Sequence, residues 1–342
     1  MRYHRPMSVH DLLIVGSGPA GLATAIAATK RNLSYLVLEK GALVNSLLHF
    51  PTHMVFFTTP ELLEIGGLPF VTPYEKPTRF EALNYYRRTA DAFKLSIAFG
   101  ETVTGITRDE SDELLSVRTR QADGTTQERR ARTVVLAAGA YDKANLLDIP
   151  GEDLPHVRHY YTEPHPFWRK HVVIVGGQNS SAEAALDLYR SGARVTIIHR
   201  GEAFGSSLKY WVKPDIENRV KEGSIAARFS ARVVRITETS VFVAQGGHTE
   251  EMQADAVFLL TGYHSDTALL TACGVRYDAV TFEPQYDQDT FESNVPGLYL
   301  AGQIITGRQS GKIFIENGRF HGERVVDVIA QRLAARALVS RS

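Results

Sequence analysis

Residues 172–200 of this chain lie over residues 12–40 without a gap when the numbering is shifted by 160. No other feature constrains the fold as tightly. Each copy reads as a short apolar strand, a glycine-rich turn, a helix and a second apolar strand. In the first copy Leu12–Val15 is the strand and Gly16-Ser17-Gly18-Pro19-Ala20-Gly21 the turn into a helix of small residues. Tyr35–Leu38 is its second strand, ended by Glu39 and Lys40. The predicted class is α/β, with two Rossmann-like, three-layer dinucleotide-binding domains, and 342 residues leave room for two cores of ordinary size.

The turns differ in ways that predict different ligands. Gly16 permits a tight turn, Gly18 lets backbone approach a pyrophosphate on the helix N-terminus, and Gly21 lets the helix pack on the sheet. Glu39 stands where a carboxylate can accept hydrogen bonds from both hydroxyls of an adenosine ribose. In the second copy Gly176 replaces Gly16, but Gln178 and Ser181 stand where the first has glycines, around Asn179 and Ser180. Its pyrophosphate approach is therefore expected to be looser. Glu39-Lys40 becomes His199-Arg200. A carboxylate would repel a 2′-phosphate, whereas an arginine can pair with it bidentately. The first site is thus expected to take FAD and the second NADPH, with Lys209 and Lys213 either adding positive charge or simply solvated.

Composition excludes several classes. The 38 basic and 38 acidic residues balance, so nothing points to nucleic acid or an anionic membrane. No apolar run approaches the ~18 residues that span a bilayer, and the first ten residues hold no apolar signal region. A cytoplasmic protein is expected. The single cysteine, Cys273, excludes an internal disulfide and reads as a small buried hydrophobe.

Elsewhere the chain supplies what two such sites would need. Asn45–Phe57 is a loop placed to receive the flavin ring, with Asn45, Ser46, Thr52, His53 and Met54 as contacts. Thr78 and Glu81 have capping-box spacing, and Phe80, Leu83, Tyr86, Ala90 and Phe93 recur at helical intervals. Strands alternate from Leu95 to Thr133, turning at Ala122-Asp123-Gly124, and again from Ile225 to Gln253. Buried strands ending at Ala138-Gly139 and at Gly262 follow these meanders. Near the end, VPGLYLAGQ is a strand reaching Gly302 and Gln303, and GKIFIENGRFHGERVVDVIA, with Lys312 and Ile313, is expected to be one helix facing the flavin. The NADPH domain is expected to be inserted in the FAD domain, giving residues 1–148, 149–256 and 257–342 as FAD, NADPH and FAD parts.

The two fingerprints, the doubled meander and GLYLAGQ resemble the low-molecular-weight thioredoxin reductase group. Within it, NSLLHFPTHMVFF, LLEIGG, HYYTEPHPF and IFIENGRFHG look closest to the bacillithiol disulfide reductase (YpdA-type) family. The resemblance implies FAD, NADPH, hydride transfer to the flavin, a low-molecular-weight disulfide as substrate, and a homodimer. This chain departs from the pattern at three places. His159-Tyr160-Tyr161-Thr162 fills the slot of the thioredoxin reductase CxxC, Ala20 stands at the family's cysteine in the first glycine motif, and Gln303 replaces an aspartate near the ribityl chain. No protein dithiol can relay electrons.

His53, His159 and Tyr161 are therefore the candidate catalytic groups, the imidazoles as proton donors to reduced flavin or substrate. His156, His159, Glu163 and His165 match no common zinc spacing, and no metal is expected. Three functions remain open. One is direct reduction of a small disulfide, the second is electron transfer to a carrier protein such as a ferredoxin or a second flavoprotein, and the third is a flavin-based redox sensor with a vestigial NADPH site.

Overall fold

The computed structural model describes residues 9–309 and 311–339. The chain divides into two compact units. One comprises the chain up to His49, Met54–Lys143 and the chain from Tyr263 on; the other comprises Phe50–His53 and Ala144–Gly262.

In the first unit, Val9–Val15 pairs in parallel with Tyr35–Glu39 on one side and with Thr126–Leu136 on the other. Ile97–Phe99 extends the sheet beyond Tyr35–Glu39. Thr126–Leu136 is long enough to serve two neighbourhoods. Its first half closes the antiparallel meander with Leu115–Gln121 and Glu101–Arg108, and its end pairs in parallel with Leu298–Leu300. Leu12, Leu13 and Ile14 are buried on both faces, which is why this strand is continuously apolar. The helix Pro19–Lys30 is buried from Gly21 to Ala28. Its many small residues let the C-terminal helix His321–Val339 cross it closely; a Cβ at Gly322 would meet the Thr24 backbone nitrogen at 2.5 Å.

In the second unit, five parallel strands run in the order Ala226–Arg228, Arg194–Ile198, His171–Val175, Ala256–Leu259, Val157–Arg158. The helix Asn179–Arg190 covers one face with Ala182, Ala184, Ala185, Leu186 and Leu188. A separate antiparallel sheet, Ala231–Ile236, Ser240–Gln245 and His248–Gln253, packs its apolar side on Val173, Val257 and Leu259.

Several expectations change. Ala256–Leu259 sits between two strands of the second unit, so that unit extends to Gly262 rather than ending at 256, and it begins at Ala144 rather than 149. The tip of the Asn45–Phe57 loop also joins the second unit, where the Thr52 N–H donates to the Thr162 carbonyl at 2.8 Å. Helix Arg79–Ala92 carries the capping box, with Thr78 and Glu81 bonding reciprocally. Of the expected stripe it buries Tyr86, together with Ala82, Tyr85 and Thr89, and leaves Phe80 67% exposed. The final segment is two helices, Ile315–Gly318 and His321–Val339. Gly318 marks the break: it has low helix propensity, and its missing side chain lets Gly302 approach, 3.6 Å from where a Cβ would be.

Candidate functional site: two dinucleotide turns

The first turn is built by exclusion. A Cβ at Gly16 would lie 2.6 Å from the Ala137 carbonyl oxygen, and one at Gly21 would lie 2.0 Å from the Gly16 carbonyl oxygen. Strand, turn and helix can close only with glycine at both places. Gly18, before Pro19, and Gly139, after Ala138, behave oppositely, since a Cβ at either would meet nothing within 4 Å. Their backbone is bare on the side a ligand would approach. Gly302 lies against Ala20, which brings the strand end Ala301-Gly302 beside the first turn of the helix.

Glu39 is buried, and its carboxylate is largely occupied by the protein. Oε2 accepts from the Ser17 N–H at 2.7 Å and the Ser17 hydroxyl at 2.8 Å, and Oε1 accepts from the Gly41 N–H at 2.8 Å. A carboxylate offers about four acceptor positions. Three protein donors thus share the carboxylate expected to accept from both ribose hydroxyls, two of them on Oε2. Ser17 was not singled out from the sequence; its place between two glycines gave no signal that it would reach the strand end.

A second group missed from sequence is His321. Its Nδ1 accepts the Gly302 N–H at 3.2 Å, and its ring lies 4.6 Å from that of Phe291. Burial, with the nearby Arg324 charge, pushes its pKa down to about 4, so the imidazole is neutral at physiological pH. The other expected contacts are distributed along this unit. Asn45 and Ser46 form one helical turn, Asn45–Leu48, in which Asn45 accepts the Ala42 N–H. The Met54 carbonyl accepts the Arg79 N–H. The Gln303 amide donates to the Ile313 carbonyl at 2.9 Å, Lys312 pairs with Glu283, and Lys40 pairs with Asp142 at 2.5 Å.

In the second unit, Gly176 repeats the role of Gly16, closing on the Leu260 carbonyl. Where the first copy has Ser17 bonded to Glu39, the second has Gly177 under the His199 ring. A Cβ at Gly177 would sit 2.4 Å from that ring, and one at Gly201 would sit 2.7 Å from its Nε2. Burial and the Arg200 charge lower the His199 pKa. Arg200 is exposed and forms no ion pair among the described residues. The Ser181 hydroxyl accepts the Gln178 N–H at 3.0 Å, and Ser180 is exposed. Gly262 accepts the Asn145 N–H through its carbonyl.

The three candidate catalytic side chains all fall in this unit. His53 is exposed. His159 is half-buried, its Nε2 3.8 Å from Glu152 and its Nδ1 buried without a partner. Tyr161 is a correction. It is buried against Phe258, and its hydroxyl donates at 2.5 Å to Asp187 on the fingerprint helix, which raises its pKa. That hydroxyl serves the core and is not free for proton transfer. Cys273 ends the helix Thr267–Ala272 in the core of the first unit, 1% exposed, its thiol pushed up to about 12 by burial. Among the described residues no group of His, Cys, Asp or Glu converges as a metal site, and no helix is long and apolar enough to cross a membrane.

Residues 13–302 match the pyridine nucleotide-disulphide oxidoreductase family. The chain is 41% identical over 322 residues to bacilliredoxin reductase Bdr of Bacillus subtilis, covering 94% of this chain and 97% of that one. The solved bacillithiol disulfide reductase Bdr (YpdA) from Bacillus cereus superposes with a TM-score of 0.93 at 41% identity, covering 95% of this chain and all of that one. The Staphylococcus aureus protein of the same description gives 0.89 at 35%, covering 96% and 99%. The bare backbone at Gly18 and Gly139 and the strand-end residues Glu39 and Arg200 fit the use of FAD and NADPH, the cofactors of this class. The chain belongs to the pyridine nucleotide-disulphide oxidoreductases and, within them, to the bacillithiol disulfide reductase group of thioredoxin reductase-like flavoenzymes.

Proposed function

We propose that this enzyme uses NADPH to reduce a low-molecular-weight disulfide of the bacillithiol type, with the substrate meeting the flavin directly rather than through a protein thiol. The balance is NADPH, a proton and one disulfide giving NADP⁺ and two thiols. FAD, when bound, takes two electrons from NADPH and passes them to the disulfide. The single observation that carries the relay-free part is the state of Cys273. It is the chain's one cysteine, it lies in the apolar core, and its thiol is held far from the thiolate form that exchanges with disulfides.

The chain's own residues then have limited tasks. Gly16, Gly18 and Gly21 shape the FAD turn, and Glu39 offers one acceptor to the ribose. Gly139 presents bare backbone, and Gly302 lies against Ala20 at the start of the helix. Arg200 reads the 2′-phosphate of NADPH. His159, with a carboxylate near Nε2 and an unpartnered Nδ1, holds the proton that the departing thiolate needs; His53 is the alternative donor. The bacillithiol relatives support the substrate class. A reducing cytoplasm suits a chain without disulfides. A homodimer is consistent with the exposed Val71, Tyr74 and Phe80 of the first unit.

An acceptor screen on the purified holoenzyme tests this reading. NADPH oxidation with bacillithiol disulfide that survives Cys273→Ser supports it. Turnover with ferredoxin but not with any small disulfide would replace it with the carrier-protein function. Flavin reduction with no acceptor at all would favour the sensor.

A further inference from the structure

In both copies the segment after the second strand bonds back to the second residue of the turn. The Val44 N–H donates to the Ser17 carbonyl at 3.2 Å, and the Gly205 N–H donates to the Gly177 carbonyl at 2.9 Å. There the likeness ends. Gly18 faces open space. Its counterpart Gln178 is exposed but carries a side chain held against the segment: a Cβ at Gly205 would lie 2.1 Å from the Gln178 amide nitrogen, and the Ser207 hydroxyl donates to Gln178 Oε1 at 2.5 Å. Asn179, the first residue of the helix, holds the same segment twice. Its Oδ1 accepts the Lys209 N–H at 2.8 Å and its Nδ2 donates to the Ser207 carbonyl at 3.2 Å. Leu208 is buried in the core of the unit and anchors the segment from beneath.

We propose that Gln178 and Asn179 clip Gly205–Lys209 across the second dinucleotide turn, and that this clip gates entry of the nucleotide pyrophosphate. The inference rests on the NADPH assignment of this turn. A pyrophosphate must come close to the backbone at the position where a fingerprint usually has glycine, and here a side chain tethered to the segment stands at that position. Binding then requires the three hydrogen bonds made by Gln178 and Asn179 to open first. Both residues act by positioning the segment; neither is assigned contact with reacting atoms.

Stopped-flow association of NADP⁺ with the holoenzyme, followed through flavin fluorescence, tests the gate. A gate makes the observed rate level off with NADP⁺ concentration at the opening rate. Ser207→Ala removes one clip bond and should raise that plateau about fivefold, the factor matching one neutral hydrogen bond. Amide hydrogen exchange at Gly205 and Lys209 should accelerate by a similar factor, with FAD content unchanged. Gln178→Gly, which removes clip and covering side chain together, should abolish the plateau. Faster exchange with an unaltered association rate would make the clip merely structural and overturn the gate. A linear rate of equal slope in wild type and Ser207→Ala would do the same. Absence of NADP⁺ binding to every variant and to wild type would instead overturn the nucleotide assignment, and the gate with it.

Discussion

Ser17 places two donors, its backbone N–H and its hydroxyl, on one oxygen of the Glu39 carboxylate, at 2.7 and 2.8 Å. Both residues are buried, so the carboxylate is held in one orientation by the turn it faces. A hydrogen bond to a charged acceptor contributes about 1.5–3 kcal/mol. Ser17→Ala should therefore loosen FAD by roughly tenfold or more when apoprotein is reconstituted, while the second nucleotide site is untouched. Unchanged FAD affinity would mean that Glu39 does not depend on Ser17 for its aim.

His321 predicts a pH dependence. Its folded pKa, about 4, lies below the ordinary value of 6.5, so the folded protein favours the neutral ring. The unfolded chain gains a proton as pH falls below 6.5, and the folded chain does not until near 4. Stability from this residue is complete above pH 6.5 and is lost between 6.5 and about 4. The loss amounts to about 3 kcal/mol at most. Denaturant melts of wild type and His321→Gln across that range should converge on acidification; parallel curves would show that the ring is not buried neutral.

Cys273→Ser puts a hydroxyl into an apolar core, which costs about 1–3 kcal/mol. The melting temperature should fall, while flavin reduction by NADPH and turnover with the acceptor persist. The two-electron-reduced enzyme should show no thiolate-to-flavin charge-transfer band. Hydride uptake without acceptor reduction in the serine variant would make Cys273 the relay.

Arg200→Ala should raise KM for NADPH and leave KM for NADH nearly unchanged. The guanidinium is exposed and makes no ion pair among the described residues, so its removal breaks no ion pair there. Equal damage to both nucleotides would show that Arg200 does not read the 2′-phosphate.

Gly322→Ala tests the helix crossing. An added methyl would meet the Thr24 backbone at 2.5 Å, and overpacking of this kind costs about 1–3 kcal/mol. A variant as stable as wild type would mean the two helices can separate without loss.

Much of this protein was legible in the sequence because its signals are local. The 160-residue repeat, the Thr78 and Glu81 cap, and the continuous apolar strands each depend on neighbours a few positions apart, and backbone geometry carries them directly into structure. Helical period alone did not show which face of Arg79–Ala92 is inward, because that depends on what packs against it, and Tyr85 and Tyr86 reach carbonyls about twenty residues away. The Ser17 bond to Glu39, the Gly302 bond to His321, the tie from Tyr161 to Asp187, and the Ser207 bond to Gln178 all join groups 19 to 29 positions apart. Residue type announces that such groups need partners; only the folded chain decides which partners they meet, since a buried polar atom must bond whatever tertiary packing brings within reach.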